Sequence, residues 1–215
     1  CPSGIYHIDS LQHEYDNVIT IAVHTGNDPM AYEEYANELG LTAAPSANIG
    51  RRYNEKAPIE WFESVAAEMN QPSKSTVSVE TTFDEATRLL TAVVTVTALE
   101  NLTGDAWRIS AVVTEDAVTG PAPYYNQQNI YATLYGYMGG YENLPNPIPA
   151  SRIAYEHVAR QLLGGFEGEA AFSTGLVAGQ SFAQTFTYYI PEEYDHTYIR
   201  VVGILLGDGG IVDNA

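Results

Sequence analysis

The spacing of apolar residues changes once along the chain, near Pro72-Ser73-Lys74, and this change limits the fold more than any other feature. Before it, Ile5, Ile8, Leu11, Gln12 and Tyr15 recur at three- and four-residue steps behind Cys1-Pro2-Ser3. That spacing predicts an amphipathic helix of about three turns with proline in its first turn. Val18 to Val23 is almost continuously apolar and β-branched, as expected of a strand buried on both faces of a parallel sheet. His24 to Pro29 carries loop and helix-start chemistry, and Met30 to Leu39 predicts a short helix stopped by Gly40. Leu41 to Arg52 is expected to return to the sheet. Pro58 opens a last helix with Ile59, Phe62, Val65, Ala66 and Met69 along one face.

From Ser75 onward the apolar period is two. Val77 and Val79 alternate with Ser78 and Glu80; Leu90, Ala92, Val94, Val96 and Ala98 line the next strand; Trp107, Ile109, Ala111 and Val113 repeat the pattern. Phe182, Phe186, Tyr188 and Ile190 belong to a later strand, Ile199 to Leu206 to another, and Ile211-Val212 to a short last one. Strands joined by Gly/Asn/Asp turns without intervening helices favour two packed antiparallel sheets. The expected fold is therefore α+β in two domains, an α/β layer over residues 1–74 and an antiparallel β-sandwich over residues 75–215.

Charge narrows the partners. The 215 residues carry 27 acidic and nine basic side chains, a net charge of -18, and both halves are acidic. Repulsion opposes broad contact with nucleic acid phosphates or an anionic membrane surface. No run of about 18 apolar residues is present to span a bilayer as a helix. The one basic pair, Arg51-Arg52, is expected to be solvated or paired with Glu55. The acidic, cysteine-poor and Tyr/Thr/Asn-rich composition suits an exported bacterial envelope protein. The chain starts at Cys1 without an initiator methionine or signal-peptide pattern, as in a mature or trimmed form.

Candidate chemistry is sparse. Cys1 is the single cysteine, so neither an intrachain disulfide nor a paired zinc motif is available. A thiol just ahead of a helix is favoured as thiolate by the helix N-terminus, which keeps a redox role open beside an inert or lipid-modified one. His7 and His13 diverge on a helix, His24 is expected to cap a loop, His157 to sit in a strand and His196 in a turn. No serine lies in a Gly-x-Ser-x-Gly elbow, and Glu33-Glu34 and Glu192-Glu193 point apart as neighbours do. Asp208-Gly209-Gly210 reads as a hairpin turn rather than a calcium loop. No metal or cofactor is expected. The remaining unusual stretch, Pro121 to Pro149, holds Tyr124, Tyr125, Tyr131, Tyr135, Tyr137 and Tyr141 among Asn, Gln, Gly and Pro. Such rings either bind a protein or glycan ligand or cover the core and the junction between domains.

Several segments taken in order resemble one family. Cys1-Pro-Ser-Gly, Ile8-Asp9-Ser10-Leu11, Asn17 through Gly26 and Leu41 through Ser46 look like the thioredoxin-like half of the outer membrane protein 28 family of Bacteroidetes. The resemblance continues through Thr114 to Gly120, Tyr155 to Arg160, Gly164 to Gly168 and the C-terminal strand pair. It implies a thioredoxin-like first domain lacking its first strand. It also matches Cys1 to the second cysteine of a Cys-x-x-Cys-Pro segment and Pro45 to the cis-proline facing it. It further implies a place in the cell envelope, outer-membrane-associated or periplasmic, with a possible lipid anchor upstream. The resulting expectation is a non-enzymatic binding module; the alternative is a thiol-disulfide oxidoreductase using Cys1 with an upstream cysteine.

Overall fold

The computed structural model describes residues 2–133 and 136–215. It is an α+β protein with antiparallel sheets, and it forms two compact units. One comprises Cys1–Ile49, Tyr53–Ala67 and Asp116–Val158; the other comprises Gly50–Arg52, Glu68–Glu115 and Ala159–Ala215. The sequence groups residues 116–158 with the strands on either side, whereas in the structure this segment packs within the first unit. The reason is local: it has no period-two pattern, and its backbone pairs internally at Val118–Tyr155 and Gln127–Ile148.

In the first unit, α1 (Pro2–Glu14) and α2 (Glu33–Glu38) precede a hairpin of β1 (Ala47–Ile49) and β2 (Tyr53–Lys56), and α3 (Trp61–Met69) follows. Leu11, Trp61 and Val65 form one core, with Ile8 and Phe62 packed against it. Ile59 was expected on the buried face of the last helix but is 87% exposed, while Trp61 is 4% exposed. Pro58–Glu60 is a 3-10 turn. Its three-residue period shifts the phase of the apolar stripe before the α-helix begins.

Val18–Val23 corrects a second expectation. It forms no regular strand and is not buried on both faces: Ile19 is 53% exposed, and one parallel bridge, Ala22 to Val158, ties the segment down. An apolar run is buried on both faces only where sheet and helices flank it; here Val18 packs on the Leu11–Trp61–Val65 core and Gln12 bonds the Thr20 hydroxyl, but no regular strand pairs along the segment.

The second unit carries β3 (Ser75–Asp84), β4 (Leu89–Ala98), β5 (Arg108–Glu115), nearly all of β6 (Val158–Leu163), β7 (Glu169–Ala170), β8 (Ser181–Tyr189), β9 (Ile199–Leu206) and β10 (Val212–Asn214). One sheet has the order β3-β4-β8; the other has the order β10-β9-β5-β6, with β7 also pairing β5. Side chains from both sheets share one core, including Val94 and Val96 from β4, Ile109 and Val113 from β5, Phe186 from β8 and Leu205 from β9. Gly203 is required for this approach. A Cβ there would lie 2.8 Å from Cγ2 of Val79 and from Cγ1 of Val94. The turn at Asp208–Gly210 joins the antiparallel strands β9 and β10, as expected.

Arg51 and Arg52 do not pair with Glu55. The Arg51 guanidinium lies 3.7 Å from the centroid of the Phe166 ring and donates to the Phe166 carbonyl, and Arg52 bonds Glu68 at 2.9 Å. Glu55 instead accepts from the backbone N–H and hydroxyl of Thr42. At the end of β5, Glu115 accepts from both Nε and a terminal nitrogen of Arg160 at 2.8 Å and from the backbone N–H of Asp195 at 2.8 Å. Both side chains are at least 90% buried, and the Arg160 guanidinium lies 4.3 Å from the centroid of the Tyr194 ring.

Candidate functional site

The first turn of α1 is the most deeply buried part of that helix: Pro2, Ser3 and Gly4 are all buried. A side chain at Gly4 would be tight: its missing Cβ would sit 3.0 Å from Cβ of Pro45 and 3.6 Å from Cη2 of Trp61. A glycine inside a helix costs about 0.5–1 kcal/mol against alanine, and its signal in sequence is this kind of close approach. Pro45 follows a cis peptide bond, so the structure brings a cis-proline against the start of the helix that Cys1 precedes. Cys1 and Tyr135 themselves lie outside the described residues.

An aromatic path runs outward from this seat. The Trp61 indole donates to the carbonyl of Lys56 at 2.7 Å and meets the His7 ring edge-on at 6.0 Å. His7 Nδ1 donates to the Ser3 carbonyl at 2.7 Å, which orients the imidazole, and Tyr6 packs edge-on against it at 5.2 Å. Tyr6 in turn meets Tyr137 edge-on at 5.8 Å. Gly139 has φ +61°, and a Cβ there would fall 2.8 Å from Cδ2 of Tyr6, so the loop backbone itself presses on that ring. The two sets of candidate residues are thereby brought together in one unit: the Pro45 seat and the tyrosine-rich connection share α1.

That connection is ordered from within. Asn129 is fully buried; its amide donates to the carbonyls of Tyr141 at 2.7 Å and Leu144 at 3.2 Å, and its side-chain oxygen accepts from the backbone N–H of Tyr131 at 3.2 Å. Its own N–H donates to the side chain of Asn146 at 3.0 Å and its amide also reaches the Pro145 carbonyl at 3.4 Å, so one residue ties five points of the loop. The backbone N–H of Glu142, with those of Met138 and Gly140, holds the Glu142 carboxyl below its usual range. Of the tyrosines, Tyr124 and Tyr137 are 73% and 74% exposed. Tyr125, Tyr131 and Tyr141 are half-buried. Tyr125 packs with Val118 and Tyr155, and the Tyr155 hydroxyl donates to its carbonyl at 3.1 Å. Burial, reinforced by Asp28 and Tyr125, pushes the Tyr155 phenol up to about 12. Burial likewise raises Tyr141, with the Asp9 carboxylate adding to the effect.

Two histidine–carboxylate pairs support the same unit. His157 does not lie in a strand: it has φ +58°, a left-handed conformation, and β6 starts one residue later. Its backbone N–H donates to Asp116 at 2.9 Å, its Nδ1 lies 3.3 Å from the same oxygen, and its Nε2 lies 3.2 Å from the Gln12 amide nitrogen. Burial raises the nearby Asp9 carboxyl, an effect opposed by His157 and reinforced by Glu156. His24 caps its loop as expected, bonding Asp28 at 2.9 Å. Burial alone would raise Asp28, but hydrogen bonds from His24 and the Met30 N–H hold it below the usual carboxylate range.

A depressed folded pKa means that the Asp28 contribution is fully present above the unfolded value of about 3.9 and is lost as pH falls through the folded value. Asp28→Asn is therefore expected to lower stability by roughly 1 kcal/mol near neutral pH, with the gap to the parent closing toward pH ~2. Denaturant melts of both proteins across that pH range measure it; a gap that stays constant with pH would contradict the assignment.

Among the described residues, no three His, Cys, Asp or Glu side chains are grouped to hold a metal ion, and no helix is long and apolar enough to cross a membrane. Asn129, Gly4 and the Asp116–His157 pair were not singled out as site residues from the sequence. Gly4 carries a visible signal as a helical glycine; the other two depend on partners distant in sequence, Tyr141 and Leu144 for Asn129 and each other for Asp116 and His157.

A family model described as "Outer membrane protein Omp28" matches residues 32–215. Among solved structures, HBP35 of Porphyromonas gingivalis has the same fold at 16% identity with a TM-score of 0.67, over 100% of this chain and 68% of that one. A domain of the outer membrane lipoprotein Omp28 from Porphyromonas gingivalis matches more distantly, with a TM-score of 0.36 and 13% identity over 66% of this chain and 84% of that one. No curated protein matches the sequence.

Proposed function

Because the chain belongs to the Omp28 family of outer membrane proteins and so to the cell envelope, we propose that it is a non-enzymatic binding module which recognises a protein or glycan ligand through Tyr124 and Tyr137. In this reading the first unit is a thioredoxin-like domain without its first strand, the second is a β-sandwich, and a lipid anchor lies upstream. The observation that supports it most is the display of two largely exposed tyrosine rings on a connection that Asn129 fastens from inside. Preorganised rings of this kind supply flat apolar faces with a hydroxyl at the rim, and little ordering entropy is lost when they are covered. With a net charge of -18, neutral or basic ligands are favoured over acidic ones.

Binding to a panel of neutral glycans and purified envelope proteins tests the reading. Tyr137→Ala is expected to weaken the strongest interaction about tenfold or more, as loss of an aromatic anchor does. Retention of full affinity by the Tyr124→Ala/Tyr137→Ala double variant would place recognition elsewhere.

A second reading is favoured by one observation, the cis-proline packed against Gly4 at the head of α1. In thioredoxin-like folds a cis-proline faces the cysteine motif, and in this reading Cys1 would work with an upstream cysteine. Cys1→Ser separates the two, because exchange needs the sulfur and ligand binding does not.

A further inference from the structure

The two sheets of the second unit close on each other at Gly203, where a Cβ would lie 2.8 Å from side-chain carbons of Val79 and Val94. Earlier in β9 the fit is looser. Ile199 and Val201 pack toward the shared core yet stay half-exposed, as do Val79 and Phe83 on β3. Strand β10, which flanks β9, reaches only Leu205 and Leu206. The result is a cleft of about 360 Å³ walled by Val79, Phe83, Leu90, Ile190, Ile199 and Val201. That size is at the lower end of sites that hold small ligands.

The rest of the lining has one sign of charge. Thr81, His196 and Arg200 complete it and no acidic residue does, in a chain whose acidic side chains outnumber the basic ones 27 to nine. The Arg88 guanidinium carbon lies 5.9 Å from the centroid of the Phe83 ring, and its nitrogens donate to the carbonyls of Ile190, Pro191 and Tyr194. Asp195 feels the charges of His196 and Arg88 and offsets part of them, but its carboxylate is held by the N–H and hydroxyl of Thr197. Asp84 is likewise held, by the N–H groups of Ala86 and Thr87. The half-buried His196 imidazole stacks on Phe83 at 4.6 Å, and its ring nitrogens bond no group among the described residues.

We propose that this cleft binds a short aliphatic carboxylate, with a chain of about six to eight carbons against its apolar walls and the carboxylate toward His196 and Arg200. The Phe83 ring already stacks on His196, so most of the wall left for a ligand is aliphatic. An imidazole N–H and a guanidinium both donate to a carboxylate, and such charge-assisted bonds are the stronger kind. An amine of the same length would meet cations there, and an alcohol would gain the burial without the charge. The site lies in the unit that does not carry Tyr124 and Tyr137, and it is independent of the reading built on them.

Titration of the intact chain with hexanoate, followed by calorimetry and backbone amide shifts, tests this. The expected Kd is about 1 mM or tighter, with shifts centred on residues 79–83 and 199–201. Hexanol and hexylamine are expected to bind at least about tenfold more weakly, and hexanoate itself should weaken as salt rises from about 0.05 to 0.5 M. Thr81→Trp fills the cleft from an exposed position and is expected to abolish binding. Thr82→Trp, on the other face of the same strand, should leave it unchanged. Equal thermal melts establish that both variants fold. Should Thr81→Trp melt early, Arg200→Gln reads the same site, weakening hexanoate at least about threefold and leaving hexanol unchanged. No hexanoate binding at about 10 mM, hexanol as tight as hexanoate, or full affinity in Thr81→Trp overturns the proposal.

Discussion

Glu115→Ala is expected to destabilise the protein by about 3–5 kcal/mol, the usual cost of leaving a buried charge without its partner. The carboxylate is 5% exposed and holds both the Arg160 fork and the N–H of Asp195. Its removal leaves the buried guanidinium between β5 and β6 without its carboxylate partner. The pair itself is not expected to be worth that much, because desolvating both ions offsets most of their attraction. Accordingly, the double variant Glu115→Leu/Arg160→Met should recover most of the loss. Urea melts of the two single variants and the double variant form the cycle; a double variant as unstable as the sum of its singles would show that Glu115 and Arg160 are not coupled, and that the single-variant losses do not come from a stranded partner.

Asn129→Ala is expected to cost about 3 kcal/mol and to abolish binding that depends on Tyr124 and Tyr137. The mutation leaves the carbonyls of Tyr141 and Leu144 and the N–H of Tyr131 without their partner in a site closed to solvent, and each unsatisfied group costs about 1–3 kcal/mol unless the loop opens to water. Opening the loop is the cheaper outcome, so the measured stability loss should be smaller than the sum and the loop should lose its fixed shape. Asn129→Asp separates the contributions, since it keeps an acceptor for Tyr131 but has no donor for the two carbonyls. Hydrogen exchange over residues 121–149 together with ligand binding tests this. Slow exchange in Asn129→Ala would mean that other contacts fasten the connection.

The elements most legible in the sequence were those whose signal is local. The α1 helix begins at Pro2 and ends at Glu14 as the stripe and the proline imply, and α3 follows from Pro58. Strands β3, β4, β5, β8 and β9 lie where period two places them, because alternate side chains of a strand face opposite sides whatever the rest of the chain does. Val18–Val23 misled for the complementary reason. Its composition suits a strand buried on both faces, yet composition does not supply the neighbours, and Ile19 faces solvent.

The candidate site divides in the same way. Tyrosine density marked residues 121–149 as unusual, but it did not distinguish Tyr124 and Tyr137, which are displayed, from Tyr125, Tyr131 and Tyr141, which are half-buried. That sorting depends on Asn129, one polar residue among many in the segment, whose burial is decided by carbonyls 12 and 15 positions away.

The sequence alone determined the change from helical to strand periodicity, the acidic surface and the family, because each is written in neighbouring residues or in their sum. Only the tertiary structure decided that residues 116–158 join the first unit, that Gly4 seats Pro45 and that Tyr137 meets Tyr6. These are pairings between distant positions, and whether a backbone group or an aromatic ring ends covered or exposed is set by what the folded chain brings beside it.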